Sequence, residues 1–174
     1  MRYSFMRRGE MVLAAVMLLA VGVAAQDSGP KPSYGLRAGF GLEPDQFVIG
    51  AQAELGRFAK VLRFAPSIDG GFGDNFTTVV FNADLRLDLL PLPKSEAVFY
   101  VDAGPTLLYI DHKDFDSDTE IGLSLATGLQ LPMGGSNMYN IEARFGIGDI
   151  PDFRLLLGVY FGGDRNRSGV LESE

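Results

Sequence analysis

The chain has 174 residues, which is enough for one domain. It contains no cysteine, which excludes disulfides and thiolate metal sites. Its formal net charge of −7 argues against a nucleic acid as partner, because phosphate binding needs a basic surface.

The first 25 residues have the pattern of a cleaved export signal. Arg2, Arg7 and Arg8 form a basic segment, and the apolar run 11–23 that follows is too short to cross a bilayer as a helix. Small side chains then predict cleavage after Ala25. Removing this segment takes away three Arg and one Glu, which leaves 12 basic and 21 acidic residues and a net charge of −9.

Residues 26–32 are predicted to be a short linker, after which the dominant hydrophobic period is two, as in β-strands. Segments of this kind, separated by turn residues, span 33–42, 45–56, 61–73, 76–89, 97–110, 120–131, 138–148 and 153–162. Most have about ten residues, the length that a tilted strand needs to cross a bilayer. The sequence therefore predicts an all-β fold, an eight-stranded antiparallel up-and-down transmembrane β-barrel, with a polar tail at 163–174.

The composition of the two strand faces predicts which face meets lipid. One face is apolar and includes Leu85 and Phe99. The other face carries glycines and a set of charged residues: Arg37, Glu54, Arg63, Asp69, Asp84, Arg86, Asp88, Asp102, Glu142, Arg144 and Arg154. Every base in this set is Arg, which suits enclosed ion pairs better than a solvated surface. We therefore predict a polar interior; a soluble barrel that holds an apolar ligand is the alternative, and it would place Leu85 and Phe99 inside.

The connections between strands differ in charge at the two ends of the barrel. The odd-numbered connections carry Glu43, Asp45, Asp74, Asp111, Asp114, Asp116, Asp118, Glu120, Asp149 and Asp152, with Lys113 as their one Lys or Arg. The even-numbered connections are slightly basic. With eight strands, both termini lie at the slightly basic end, which is expected to be periplasmic. The acidic end is therefore expected to face outward.

Several segments are similar to small bacterial outer-membrane β-barrel proteins, the OmpX, OmpA-barrel and opacity-protein group. The most telling are residues 63–74 and 81–87, and residues 100–104 and 157–161 are also similar. The resemblance covers essentially the whole mature chain. It implies a monomer in the bacterial outer membrane, in contact with its lipid and lipopolysaccharide, that is inserted by the barrel-assembly machinery.

Two candidate sites lie near the fifth connection. His112 is the one histidine, and barrels that resemble this chain include enzymes that modify lipid A with a catalytic His and Ser. No Ser lies two residues after it, so a solvated loop histidine is the simpler interpretation. Oxygen ligands at Asp114, Asp116, Asp118 and Glu120 have a spacing that could hold Ca²⁺, although the glycine and loop length of an EF-hand are absent.

The leading hypothesis for function is non-enzymatic. The chain would act in envelope structure or in surface interaction through its acidic outer loops, without a cofactor apart from the Ca²⁺ considered above. An outer-membrane enzyme that modifies lipid is the alternative.

Overall fold

The computed structural model describes residues 31–59, 62–91, 97–112 and 117–163. The predicted export signal and its cleavage site lie outside these residues. So do most of the predicted linker and tail, and two candidate calcium ligands, Asp114 and Asp116.

The described residues form eight antiparallel strands that close into a barrel. In chain order they are β1 (Ser33–Leu42), β2 (Gln46–Ala59), β3 (Leu62–Phe72), β4 (Phe76–Pro91), β5 (Val98–His112), β6 (Asp118–Gly134), β7 (Asn137–Ile147) and β8 (Phe153–Gly162). Each strand pairs with the next one along the chain, and β8 pairs with β1 over the whole length of both strands. The predicted up-and-down barrel is confirmed. Since closure pairs the first strand with the last, the barrel has no free sheet edge.

The β5–β6 hairpin extends further than its sequence pattern predicts. The predicted strands stopped at residue 110 and began again at 120, but β5 continues to His112 and β6 begins at Asp118. The ladder joins Tyr109 to Thr119 and Ile110 to Asp118. The interpretation of 111–118 as a loop was therefore wrong at both ends. Backbone pairing with the neighbouring strand outweighs the low strand propensity of aspartate there.

Prolines interrupt the ladder at two places inside the barrel wall. The β2–β3 pairs skip the residues opposite Pro66, and the β4–β5 pairs skip those opposite Pro105. On its other side, each proline stays in register, Pro66 with Ala83 and Pro105 with Leu123. Proline has no N–H to donate, so the ladder lacks one backbone donor at each of these positions.

Candidate functional site

The outer wall of the barrel is a continuous apolar surface. Every strand contributes large apolar side chains to it: Leu36 is 64% exposed, Leu85 45% and Phe99 40%. Among the strand side chains that the structure describes, this face carries one charged group. It is Asp111, which lies close to one end of the barrel. The soluble-barrel alternative needed Leu85 and Phe99 to point inward, and they point outward.

Aromatic rings lie near both ends of this apolar surface. Toward the end with the odd-numbered connections, Phe40 pairs with Phe47, which also pairs with Phe72, and the rings of Phe40 and Phe47 are 5.7 Å apart. Toward the end with both termini, Tyr34 pairs with Phe161. Aromatic girdles at these two levels are typical of barrels that cross a membrane, where the rings lie at the lipid headgroups.

The lumen is filled by the charged set. Ten of its members are at most 7% exposed, namely Arg37, Glu54, Arg63, Asp69, Asp84, Arg86, Asp102, Glu142, Arg144 and Arg154. The eleventh, Asp88, pairs with Arg63 and has a side chain 15% exposed. An eight-stranded barrel is just wide enough for side chains to fill its interior.

Glu142 and Arg86 are the branch points of the ion-pair network. Glu142 accepts hydrogen bonds from Arg37 at 3.1 Å and from Arg144 at 3.0 Å. Arg86 donates two hydrogen bonds to Asp102, at 2.8 and 2.7 Å, and a third to Glu54 at 2.7 Å. The planar guanidinium is suited to such two-point pairing. The network therefore joins residues from strands on opposite sides of the barrel.

The network continues from these branch points to both ends of the lumen. Toward one end, Arg63 bridges Glu54 and Asp88. Toward the other, Asp69 accepts two hydrogen bonds from Arg37, at 2.7 and 2.6 Å, and one from Arg154 at 3.0 Å. Each buried charge thus has an opposite charge beside it, which offsets the cost of removing it from water.

Two tyrosines in the lumen, which were not among the predicted site residues, extend the network. The Arg86 guanidinium lies 3.6 Å from the centre of the Tyr100 ring, and it donates to the Tyr160 hydroxyl at 3.2 Å. Tyr100 in turn donates to Glu142 at 2.8 Å. A side chain at Gly128 would overlap the Tyr100 ring, so the glycine makes room for this stack. The strand alternation places both tyrosines on the inner face, and this signal could have found them.

The end with the odd-numbered connections is acidic; we call this end the acidic rim. Its exposed carboxylates in the described residues include those of Glu43, Asp45, Asp74, Asp149 and Asp152. No described group of three or more His, Cys, Asp or Glu residues has a geometry that could hold a metal ion. Asp118 and Glu120 lie at this rim on β6, whereas the other two candidate calcium ligands are outside the described residues. The Ca²⁺ site therefore stays a prediction.

His112, the candidate for a catalytic role, is the last residue of β5. It pairs with Phe76 across the β4–β5 ladder, and the two rings are 6.3 Å apart. It therefore lies at the acidic rim and not within the ion-paired part of the lumen.

Comparison with solved structures identifies the fold. The N-terminal β-barrel domain of Pseudomonas aeruginosa OprF aligns with a TM-score of 0.61 at 14% identity, over 76% of this chain and 98% of that one. Neisserial surface protein A aligns with a TM-score of 0.57 at 17% identity, over 76% and 96% of the two chains. De novo designed transmembrane β-barrels align with a TM-score of 0.57 at 11% identity, over 78% and 97%.

No protein-family model and no curated protein matches the sequence. The described residues contain no helix long and apolar enough to cross a membrane. The fold of this chain is that of the small eight-stranded outer-membrane β-barrels.

Proposed function

We propose that this chain is an integral protein of the bacterial outer membrane that acts without catalysis, in envelope structure or in surface interaction through its acidic rim. The observation that carries the proposal is the inversion of the usual burial pattern. Arginines and carboxylates are enclosed, whereas leucines, isoleucines and phenylalanines lie on the outside. Such a surface is stable where lipid covers it, and in water it would cause association.

The lumen supports a structural role over a transport role. Arg86, Arg144 and Glu142 are each at most 1% exposed, and they reach across the barrel to carboxylates or arginines on other strands. A solute that crossed the barrel would have to separate these pairs without offering equivalent partners. The proposed role is therefore that of a rigid barrel anchored in the membrane, whose rims are available for contacts. The same proposal includes that the protein is a monomer, that it contacts lipid and lipopolysaccharide, and that the barrel-assembly machinery inserts it.

The acidic rim is the surface proposed to face the exterior of the cell. Its described connections are rich in aspartate and glutamate, and one of them, 148–152, is five residues long. The opposite end carries the start of β1, the end of β8 and the two-residue turn at Gly135 and Ser136. Short turns on the periplasmic side are the rule for outer-membrane barrels. The rim would interact with positively charged groups, because like charges in a partner would be repelled.

Single-cysteine labelling tests this location and orientation, since the chain has no cysteine of its own. Asp74→Cys places a thiol at the acidic rim, and Ser136→Cys is the matched control at the opposite end; both positions are exposed. In intact cells, a membrane-impermeant maleimide should label the Asp74→Cys protein and spare the Ser136→Cys protein until the cells are lysed. Equal labelling of both before lysis, or recovery of the protein in the soluble fraction, would contradict the proposal.

A further inference from the structure

The connection between β7 and β8, residues 148–152, folds into the mouth of the barrel at the acidic rim. Its central residue, Ile150, is 4% exposed and forms an apolar cluster with Val80 and Leu108. These two residues pair directly across β4 and β5, and both point into the lumen. The connection therefore closes the lumen with an apolar layer above the ion pairs.

The surrounding wall is shaped to receive this side chain. A Cβ atom at Gly122 would come within 2.9 Å of Ile150 Cγ2, and one at Gly146 within 2.8 Å of Ile150 Cγ1. Two backbone hydrogen bonds hold the end of the connection. The Gly146 N–H donates to the Asp152 carbonyl at 2.9 Å, and the Asp152 N–H donates to the Glu43 carbonyl at 3.3 Å. The inward position of Ile150 is thus specified by its neighbours.

The described charged side chains around the connection are of one sign. Beside it lies a cavity of about 340 Å³, whose lining includes Asp149 and Asp152 of the connection and Asp118 and Glu120 of β6. Among the residues that the structure describes, no Lys, Arg or His lines this cavity. Carboxylates that line one cavity repel each other, and added salt weakens this repulsion because the Debye length falls from roughly 30 Å at 0.01 M to about 3 Å at 1 M ionic strength.

We propose that residues 148–152 form a lid over the lumen whose position depends on ionic strength. The packing of Ile150 against Val80 and Leu108 holds the lid closed, and repulsion of its two aspartates from Asp118 and Glu120 pushes it open. Gly148 begins the connection with a φ of +100°, a region that a glycine can enter and leave with little strain. Salt screens the repulsion, so the lid closes as ionic strength rises.

A thiol beneath the lid tests the proposal while leaving Ile150 in place. Val80→Cys is close in size to the natural residue, and position 80 is 2% exposed. We expect N-ethylmaleimide, which is uncharged, to react with the Val80→Cys protein in lipid vesicles about fivefold more slowly at high salt than at low salt. The exposed Asp74→Cys protein serves as the reference, because its reaction rate corrects for any effect of salt on the reagent.

A neutralised lid provides the matched variant. Adding Asp149→Asn and Asp152→Asn to Val80→Cys removes the repulsion, so labelling should be slow at both salt concentrations. The proposal is overturned if the rate for Val80→Cys, relative to Asp74→Cys, does not change with salt, whether labelling is always fast or always slow. It is also overturned if the neutralised variant keeps the same salt dependence.

Discussion

The inner and outer faces of this barrel are made by alternate residues of the same strands, yet they follow opposite rules of burial. On β4, Arg86 is 1% exposed and bonded on several sides, whereas its neighbour Leu85 is 45% exposed. The inner face depends on specific partners, because an enclosed charge that loses its partner keeps the full cost of desolvation. The outer face depends only on apolar character, because lipid adapts to the shape of any side chain. The effect of a substitution on stability should therefore depend on the partners that are lost on the inner face, and on the polarity of the new side chain on the outer face.

The largest expected effect is on the inner face. Arg86→Ala removes the nearer of the two arginines that pair with Asp102 and one partner of Glu54, so the free energy of unfolding should fall by about 3–5 kcal/mol. Replacing Asp45, an exposed residue of the acidic rim, by alanine should change the free energy of unfolding by no more than about 0.5 kcal/mol. Denaturant titrations in lipid vesicles measure this free energy, with the folded fraction read from the gel mobility of unboiled samples. An Arg86→Ala protein as stable as the Asp45→Ala control would contradict the role of the network.

The next effect concerns polarity on the outer face. Leu85→Arg places a charge where the side chain meets hydrocarbon, which should cost about 2–4 kcal/mol in the same titration. Leu85→Phe changes the size and shape of the side chain but keeps it apolar, so its effect should be much smaller. If the arginine were tolerated as well as the phenylalanine, position 85 would not face lipid.

A smaller effect should distinguish packing from charge inside the lumen. Gly128→Ala introduces a single methyl group against the Tyr100 ring, and this overpacking should cost about 1–3 kcal/mol. Combining it with Tyr100→Leu, which removes the ring, should recover much of that loss relative to Tyr100→Leu alone. A double-mutant cycle measures the difference, and additive effects would show that the two residues do not constrain each other.

The strand alternation alone was sufficient to predict the eight strands and the two faces. Leu85 and Arg86 show why. Neighbouring residues of a strand in a closed barrel must point to opposite sides, so apolar and charged residues alternate in the sequence. The pairing of these charges could not be predicted in the same way. Glu142 and Arg37 are 105 positions apart, and only closure of the barrel brings them together.

The inward position of Ile150 was also beyond the sequence pattern. Residues 149–152 have the composition of an ordinary turn, and their sequence predicts no more than that. Ile150 turns inward because Gly122 and Gly146 leave space for it on β6 and β7, and because Val80 and Leu108 supply an apolar surface. Gly146 is close to Ile150 in sequence, but Val80, Leu108 and Gly122 are distant from it, so their convergence depends on the register of the strands.

Spin labels at neighbouring positions 85 and 86 in lipid bilayers test the inverted barrel most directly. The label at position 85 should be accessible to oxygen, which partitions into lipid, and shielded from a water-soluble nickel chelate. The label at 86, enclosed in the lumen, should be shielded from the oxygen-rich hydrocarbon. Because Arg86 stabilises the fold, the second label is interpreted only in samples that keep the gel mobility of the folded protein. A label at position 85 that is hidden from oxygen, in a folded sample, would contradict the membrane-facing assignment of the apolar wall.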